Sequence, residues 1–304
     1  MPVNVKNIVY ERSYGSTATT LTEYIELGEP ILQLNVTMHF LQNGSTLPTI
    51  ANVLTQMATQ IRVKQDGVPV FAASPADLRA LDILSYQLCG LGHISNGTGA
   101  DNAVMFITLA IPFSTHIYPF GLDPKVALPV PKVNTVLELD VPADASTLDT
   151  RRLTVSAITL PGASPIAYIE RVVKNVTPSG TGWGTYVSLP YGSPYSLYDV
   201  LFWQTTNLGD GTTSDVTTIE QVALELNEVP QYLHQNGIES LQFGLGNFSA
   251  SASSPAVQDE YAYFTFAPNR KIEDAIPLDR PARIAINAGD TNAIRVIPGL
   301  VHKV

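Results

Sequence analysis

Over residues 32–40 the chain alternates without a break. Leu32, Leu34, Val36, Met38 and Phe40 fall on one side, and Gln33, Asn35, Thr37 and His39 on the other. Successive side chains of an extended strand point to opposite faces, so this pattern predicts a strand buried on one face, as in an antiparallel sheet. The same period of two recurs at Ile61/Val63, Leu137/Leu139/Val141, Leu153/Val155/Ala157, Val222/Leu224/Leu226 and Phe264/Phe266. Between these runs lie Pro- and Gly-rich connections such as Tyr118-Pro119-Phe120-Gly121 and Leu189-Pro190-Tyr191-Gly192. Alternating strands punctuated in this way predict an all-β sandwich or barrel rather than βαβ units.

One helix interrupts the strands. Ser74 can cap it, Pro75 suits its first position, and Asp77 sets a carboxylate in the first turn, where the helix dipole favours one. Leu78, Leu81, Leu84 and Leu88 then recur at helical spacing, so a helix of about four turns is expected over residues 74–88. Residues 1–20 lack sustained periodicity. Their Ser13-Tyr14-Gly15-Ser16-Thr17 reads as part of an arm that is ordered only against something else.

A search for internal repetition finds two segments that recur in order. Ile61-Arg62-Val63-Lys64-Gln65-Asp66-Gly67-Val68-Pro69-Val70-Phe71 reads strand, turn, Val-Pro, aromatic, and so does Val222-Ala223-Leu224-Glu225-Leu226-Asn227-Glu228-Val229-Pro230-Gln231-Tyr232. Ala127-Leu128-Pro129 precedes the strand at 136–141, as Ala275-Ile276-Pro277 precedes that at 283–288. A duplicated β domain is expected, joined near residues 161–173. The division is an arm over 1–20, a first domain over 21–167 and a second over 168–304. A length of 304 residues agrees, since single cores stop growing near 250–300 residues.

Composition narrows the function. Charged residues make up 14% of the chain, against roughly 25% in an average soluble protein, while 45% are hydrophobic. Much nominal surface is therefore expected to be covered by neighbours, and disorder along most of the length is excluded. A net charge of −10 with no Lys/Arg cluster argues against neutralising many phosphates, so no sequence-specific nucleic-acid partner is expected. The amino terminus does not read as a signal peptide, which suggests synthesis in a reducing cytoplasm. The uncharged stretch at 102–122 holds Pro112, His116 and Pro119 and fits strands and turns better than a membrane-spanning helix.

Candidate chemistry is sparse. His39, His93, His116, His234 and His302 are dispersed, without a second ligand at metal spacing. Cys89, the only cysteine, lacks a basic neighbour to lower its pKa and reads as a buried inert thiol. Asp140, Asp144, Asp149 and the run from Asp210 to Asp215 contain oxygen ligands for a hard cation, but not at the spacing of a dedicated calcium loop. Glu138, Glu225 and Glu239 offer the carboxylates a glycosidase needs, yet Glu138 and Glu225 sit at polar alternate positions of strands, where solvent-facing acids are ordinary. Asn-x-Ser/Thr sequons begin at Asn35, Asn43, Asn96, Asn175 and Asn247, as chance allows in an Asn- and Thr-rich β protein. Trp183, Tyr186, Tyr191, Tyr195, Tyr198, Phe202 and Trp203 crowd one stretch. They can form a sugar-binding platform, though core and interface packing explains such rings more simply. No catalytic residue, metal ligand or cofactor site is assigned, and no enzyme activity is expected.

The duplicated strand blocks, the helix after the first Val-Pro-aromatic unit and the closing Pro-then-strand unit resemble the double jelly-roll major capsid proteins of icosahedral, often lipid-containing viruses, including bacteriophages. Residues 61–81, 123–140 and 275–297 carry the likeness, which extends over about residues 25–304. It implies two tandem jelly-roll β-sandwiches with a short helix inserted in the first, and a homotrimer tiling an icosahedral virion shell. The implied partners are neighbouring capsomers, penton and minor capsid proteins, and an internal membrane surface. The alternative is a tandem β-sandwich that binds or acts on carbohydrate.

Overall fold

The computed structural model describes residues 4–14, 17–44, 48–86, 101–117, 121–143, 148–204, 218–234, 261–267 and 269–304. The chain divides into two compact units, Met1–Glu170 with Val304, and Arg171–Lys303.

The first unit contains β1 (Asn4–Ser13), β2 (Thr19–Ile25), β3 (Ile31–Gln42), α1 (Ile50–Met57), β4 (Gln60–Gln65), β5 (Val68–Ala73), α2 (Pro75–Leu81), β6 (Val104–Pro112), β7 (His116–Ile117), β8 (Gly121–Leu122), β9 (Thr135–Val141) and β10 (Leu148–Thr159). The strand β11 (Ala167–Val172) spans the division in sequence. The second unit follows with β12 (Lys174–Val176), β13 (Gly182–Leu189), β14 (Tyr195–Gln204), β15 (Ile219–Leu226), β16 (Val229–His234), β17 (Tyr261–Thr265), β18 (Ile276–Pro277), β19 (Ala282–Ala288) and β20 (Ile294–Lys303).

Within the first unit the antiparallel ladders run β1-β10-β3-β6 and β2-β9-β4-β5. Those of the second run β12-β20-β14-β17 and β13-β19-β15-β16. Each unit thus has eight strands in these ladders, and they visit its two sheets in the same order. The third strand pairs with the last and with the sixth; the fourth pairs with the fifth and with the seventh. This is the jelly-roll connectivity, present twice.

The repeat read from sequence is a structural repeat down to its irregularities. The β4–β5 hairpin turns at Asp66 (φ 52°) and Gly67 (φ 82°), and β15–β16 turns at Asn227 (φ 51°) and Glu228 (φ 63°). Two successive left-handed residues make the turn whose twist suits a tight hairpin. Each hairpin slips register after its third pairing from the turn's far side, between Val63 and Lys64 in one and between Leu224 and Glu225 in the other. Pro69 faces Lys64 and Pro230 faces Glu225 across those irregularities, where a missing N–H costs least. The backbone N–H of Asp66 donates to Asn134 O just before β9, and that of Asn227 to Pro281 O just before β19.

Alternation places the core as expected: Leu34, Val36, Met38, Ile61, Val63, Leu137, Leu139, Leu153, Val155 and Ala157 are all buried. Ser74 caps α2 in a reciprocal box with Asp77, each side chain meeting the other's backbone N–H. The α-helical span of α2 covers Pro75–Leu81. It passes at Asp82 into a π-helical turn, Asp82–Tyr86, and Leu88 and Cys89 lie outside the described residues. Two elements go beyond the sequence expectations. Residues 50–57 form α1, capped by Thr49 and burying Val53, Leu54 and Met57. Residues 4–13, expected as part of an arm, instead form β1, which pairs along β10 with two register shifts that break any simple alternation.

Candidate interaction surface

Each jelly roll has two outward sheet faces, and the four faces carry different chemistry. On the β2-β9-β4-β5 face, cross-strand register aligns Thr22 with Glu138 and Arg62, and Thr20 with Asp140 and Gln60. The Arg62 guanidinium donates to Glu138 Oε2 at 3.0 Å and to both oxygens of Asp140 at 2.7 Å. Lys64 Nζ donates to Glu138 Oε1 at 2.7 Å, and the Thr20 hydroxyl to Asp140 at 2.8 Å. Lys64, followed by Arg62, holds the Glu138 carboxyl below the usual range, and Arg62 does the same to Asp140. These acids are consumed as ion-pair partners, and neither has the raised pKa that a general acid needs.

The opposite face of that roll, on β1-β10-β3-β6, is nearly uncharged. Its rows are Asn7, Ser156, Asn35 and Ala110; then Thr154, Thr37 and Thr108; then Arg152, His39 and Phe106. The Thr37 and Thr108 hydroxyls lie 2.9 Å apart, and the His39 and Phe106 rings are 5.8 Å centre to centre. Arg152, at one end, pairs with Glu11 at 3.2 Å.

In the second roll, the β13-β19-β15-β16 face aligns Trp183 with Asn287 and Gln221, Tyr186 with Ala285 and Ala223, and Ser188 with Arg283 and Glu225. Arg283 Nε donates to Glu225 Oε2 at 2.6 Å, while its guanidinium carbon stands 4.0 Å over the Tyr186 ring. Glu225 is thus another paired strand acid.

The remaining face, on β12-β20-β14-β17, is buried. Asp199, Leu201, Ile297, Tyr261 and Tyr263 are no more than 4% exposed. Arg171 clamps Asp199 through two bonds, Nη1 to Oδ1 at 2.5 Å and Nη2 to Oδ2 at 2.7 Å, and the Tyr263 hydroxyl donates to Oδ2 at 2.7 Å. Gly299 makes room for the clamp: a Cβ there would lie 2.0 Å from Asp199 Oδ1 and 2.5 Å from Arg171 Nη1. Nearby, Arg295 stacks 3.8 Å over the Trp203 ring.

The aromatic run therefore splits. Trp183 and Tyr186 face outward on one sheet, Tyr191 is exposed in the turn after it, and Tyr198 and Phe202 are buried. Tyr195 packs on the His302 ring at 4.8 Å, and burial lowers the His302 pKa. The residues do not share one platform. Asp149 is exposed on β10. The candidates His93, Asp144, Asp210, Asp215 and Glu239 lie outside the described residues. Among the described residues, no group of three or more His, Cys, Asp and Glu is gathered where a metal could sit, and no helix is long and apolar enough to cross a membrane.

Two features escaped the sequence reading. Asp82 is fully buried at the end of α2, with the backbone N–H of Ala110 as its polar neighbour and no well-formed hydrogen bond to either carboxyl oxygen. Burial pushes its pKa up to about 8. The second roll also contains a cavity of about 110 Å³, lined by side chains that include Phe202, Leu224, Tyr232, Phe264 and Phe266. Among the described residues its lining is mainly apolar and carries no carboxylate, imidazole, amine or thiol.

No family model matches the chain, and no curated protein matches it. Solved structures do. The major capsid protein P2 of bacteriophage PM2 is similar over 100% of this chain and 98% of its own, at TM-score 0.65 and 11% identity. The major capsid protein of Sulfolobus turreted icosahedral virus is similar over 100% and 97%, at TM-score 0.65 and 10% identity. The capsid of the virus PBCV-1 contains a chain similar over 98% and 93%, at TM-score 0.59 and 12% identity. Such identities speak to fold alone, and that fold is the one the strand pairings spell out: the chain is a double jelly roll, two like-connected β-sandwiches in tandem, as the sequence resemblance implied.

Proposed function

We propose that this protein is the major capsid protein of an icosahedral virus, a structural component of the virion shell without catalytic chemistry. The observation that carries the reading is the exact pairing scheme repeated in both rolls, in a chain whose whole length is matched by capsid proteins over nearly their whole length. Two like rolls in one chain give a threefold assembly six similar sides, and a block of that kind tiles a surface. Homotrimers packed side by side, made in the host cytoplasm, form the shell. Penton and minor capsid proteins and an internal membrane surface are the further partners of this reading. A net charge of −10 fits a role in the shell wall rather than in coating the genome.

The test is the state of the purified full chain in solution. Sedimentation at micromolar concentration is expected to give three chains per particle, with a hexagonal outline in electron micrographs. A single chain at every concentration and salt would overturn the reading. Glycan binding lost on Trp183→Ala would favour the carbohydrate alternative instead.

A further inference from the structure

Duplication makes each roll a reference for the other. The central strand β3 of the first roll corresponds to β14 of the second, since each pairs with the last and the sixth strand of its own roll. The outward row of β14 is buried, with Asp199 and Leu201 at 0% exposure. The outward row of β3 is not: Asn35, Thr37 and His39 remain partly open. Two copies of one architecture therefore have the same face in two states, one covered and one bare along its middle rows, with Gln33, Ala110 and Pro112 buried at one end.

The bare face also has the composition of a covered one. Its central rows hold Thr37, Thr108, Thr154, Asn35 and Ser156, with ionised side chains confined to the Arg152 end. The other outward face of the same roll carries the ion lattice of Arg62, Lys64, Glu138 and Asp140, as a solvent-facing sheet would. Charge is depleted at the centres of protein interfaces, where it is costly to desolvate. The size is adequate too. The open part of the face, four strands spaced about 4.8 Å apart and about seven residues long at roughly 3.4 Å per residue, presents ~450 Å². That is over half of the ~800 Å² per partner found in interfaces of standard size.

We infer that the outward face of β1-β10-β3-β6 is the surface on which a second copy of this chain docks, while the face bearing Arg62 and Glu138 stays in solvent. The inference rests on the self-assembly proposed above and adds which face does the assembling. Short hydroxyl and amide side chains make a flat, neutral surface that another copy can cover without stranding a charge.

The experiment compares oligomeric mass, by sedimentation across a concentration series, for the unaltered chain, Thr37→Arg/Thr154→Arg and Thr22→Arg, which lies on the lattice face. Ser156→Asp serves as a milder substitution should the double variant fail to fold, with circular dichroism confirming folding of each. The expected result is association weakened roughly a hundredfold or more by the variants on the neutral face, because a buried interface charge without a partner is strongly disfavoured. Thr22→Arg should assemble like the unaltered chain. Folded neutral-face variants that assemble normally, or a Thr22→Arg chain that falls apart instead, would overturn the inference and leave the capsid reading standing. An unaltered chain that never associates would overturn both.

Discussion

An ion network on the surface of the first jelly roll and an ion pair inside the second stand under opposite physical regimes. In the first, Arg62, Lys64, Glu138 and Asp140 form a lattice with each side chain between 17% and 34% exposed. Water screens such pairs, and each contributes little. In the second, Arg171 and Asp199 form a bidentate pair at 0% exposure, completed by Tyr263. A buried pair gains little net over an apolar replacement, but losing one partner strands a charge in the interior. The lesson is that ion pairs of similar geometry tolerate alteration at the surface of one roll and not within the other.

The largest effect expected from breaking this contrast is at the buried clamp. Asp199→Ala leaves Arg171 without its partner and should cost about 3–5 kcal/mol, read as a fall in denaturant midpoint. Gly299→Ala should approach that cost without removing any charge, because the new Cβ occupies the place of the clamp. A Gly299→Ala chain as stable as the parent would show that the pair has room to move.

The next effect depends on pH and sharpens the comparison inside the first roll. Asp82 keeps its proton up to about pH 8 when folded, whereas the unfolded chain releases it near pH 4. The folded state then binds more protons across that window, so the stability Asp82 contributes is present below about pH 4 and is lost as pH rises toward 8. Asp82→Asn should raise the melting temperature at pH 8, leave it little changed at pH 4, and flatten the profile between. The lattice acids act in the other direction: their lowered pKa values give stability that is lost as pH falls through them.

Smaller effects follow at the surface. Arg62→Ala removes a screened network and should cost about 1 kcal/mol or less, an outcome that a stability difference as large as that of Asp199→Ala would contradict. The smallest concerns the paired hairpins. The first roll puts Gly67 where the second puts Glu228, both at positive φ. Glu228→Gly should stabilise the second roll by about 0.5 kcal/mol, the relief of a left-handed side chain less the entropy that glycine loses on folding.

What the sequence revealed depended on whether a signal was local. The β4–β5 and β15–β16 hairpins were legible because alternation, turn and Val-Pro fall within a dozen residues, and the α2 start was legible because Ser74, Pro75 and Asp77 are adjacent. The strand β1 was not, since its bulges break the period of two. The helix α1 did leave a trace in Thr49 followed by Ile50, Val53, Leu54 and Met57 at helical spacing, a pattern short enough to pass for loop. The buried clamp left a fainter one: Asp199 interrupts the otherwise largely apolar run of β14, but nothing in the chain says that its partner is Arg171. The sheet faces lie furthest from direct reading. Which row is charged and which neutral follows only once cross-strand register aligns residues far apart in sequence.

The central claim is that tandem rolls make a self-assembling shell block, and the particle mass of the purified full-length chain, measured across micromolar concentrations with micrographs of the same sample, tests it most directly. The account predicts three chains per particle with a hexagonal outline. A stable single chain throughout would contradict it.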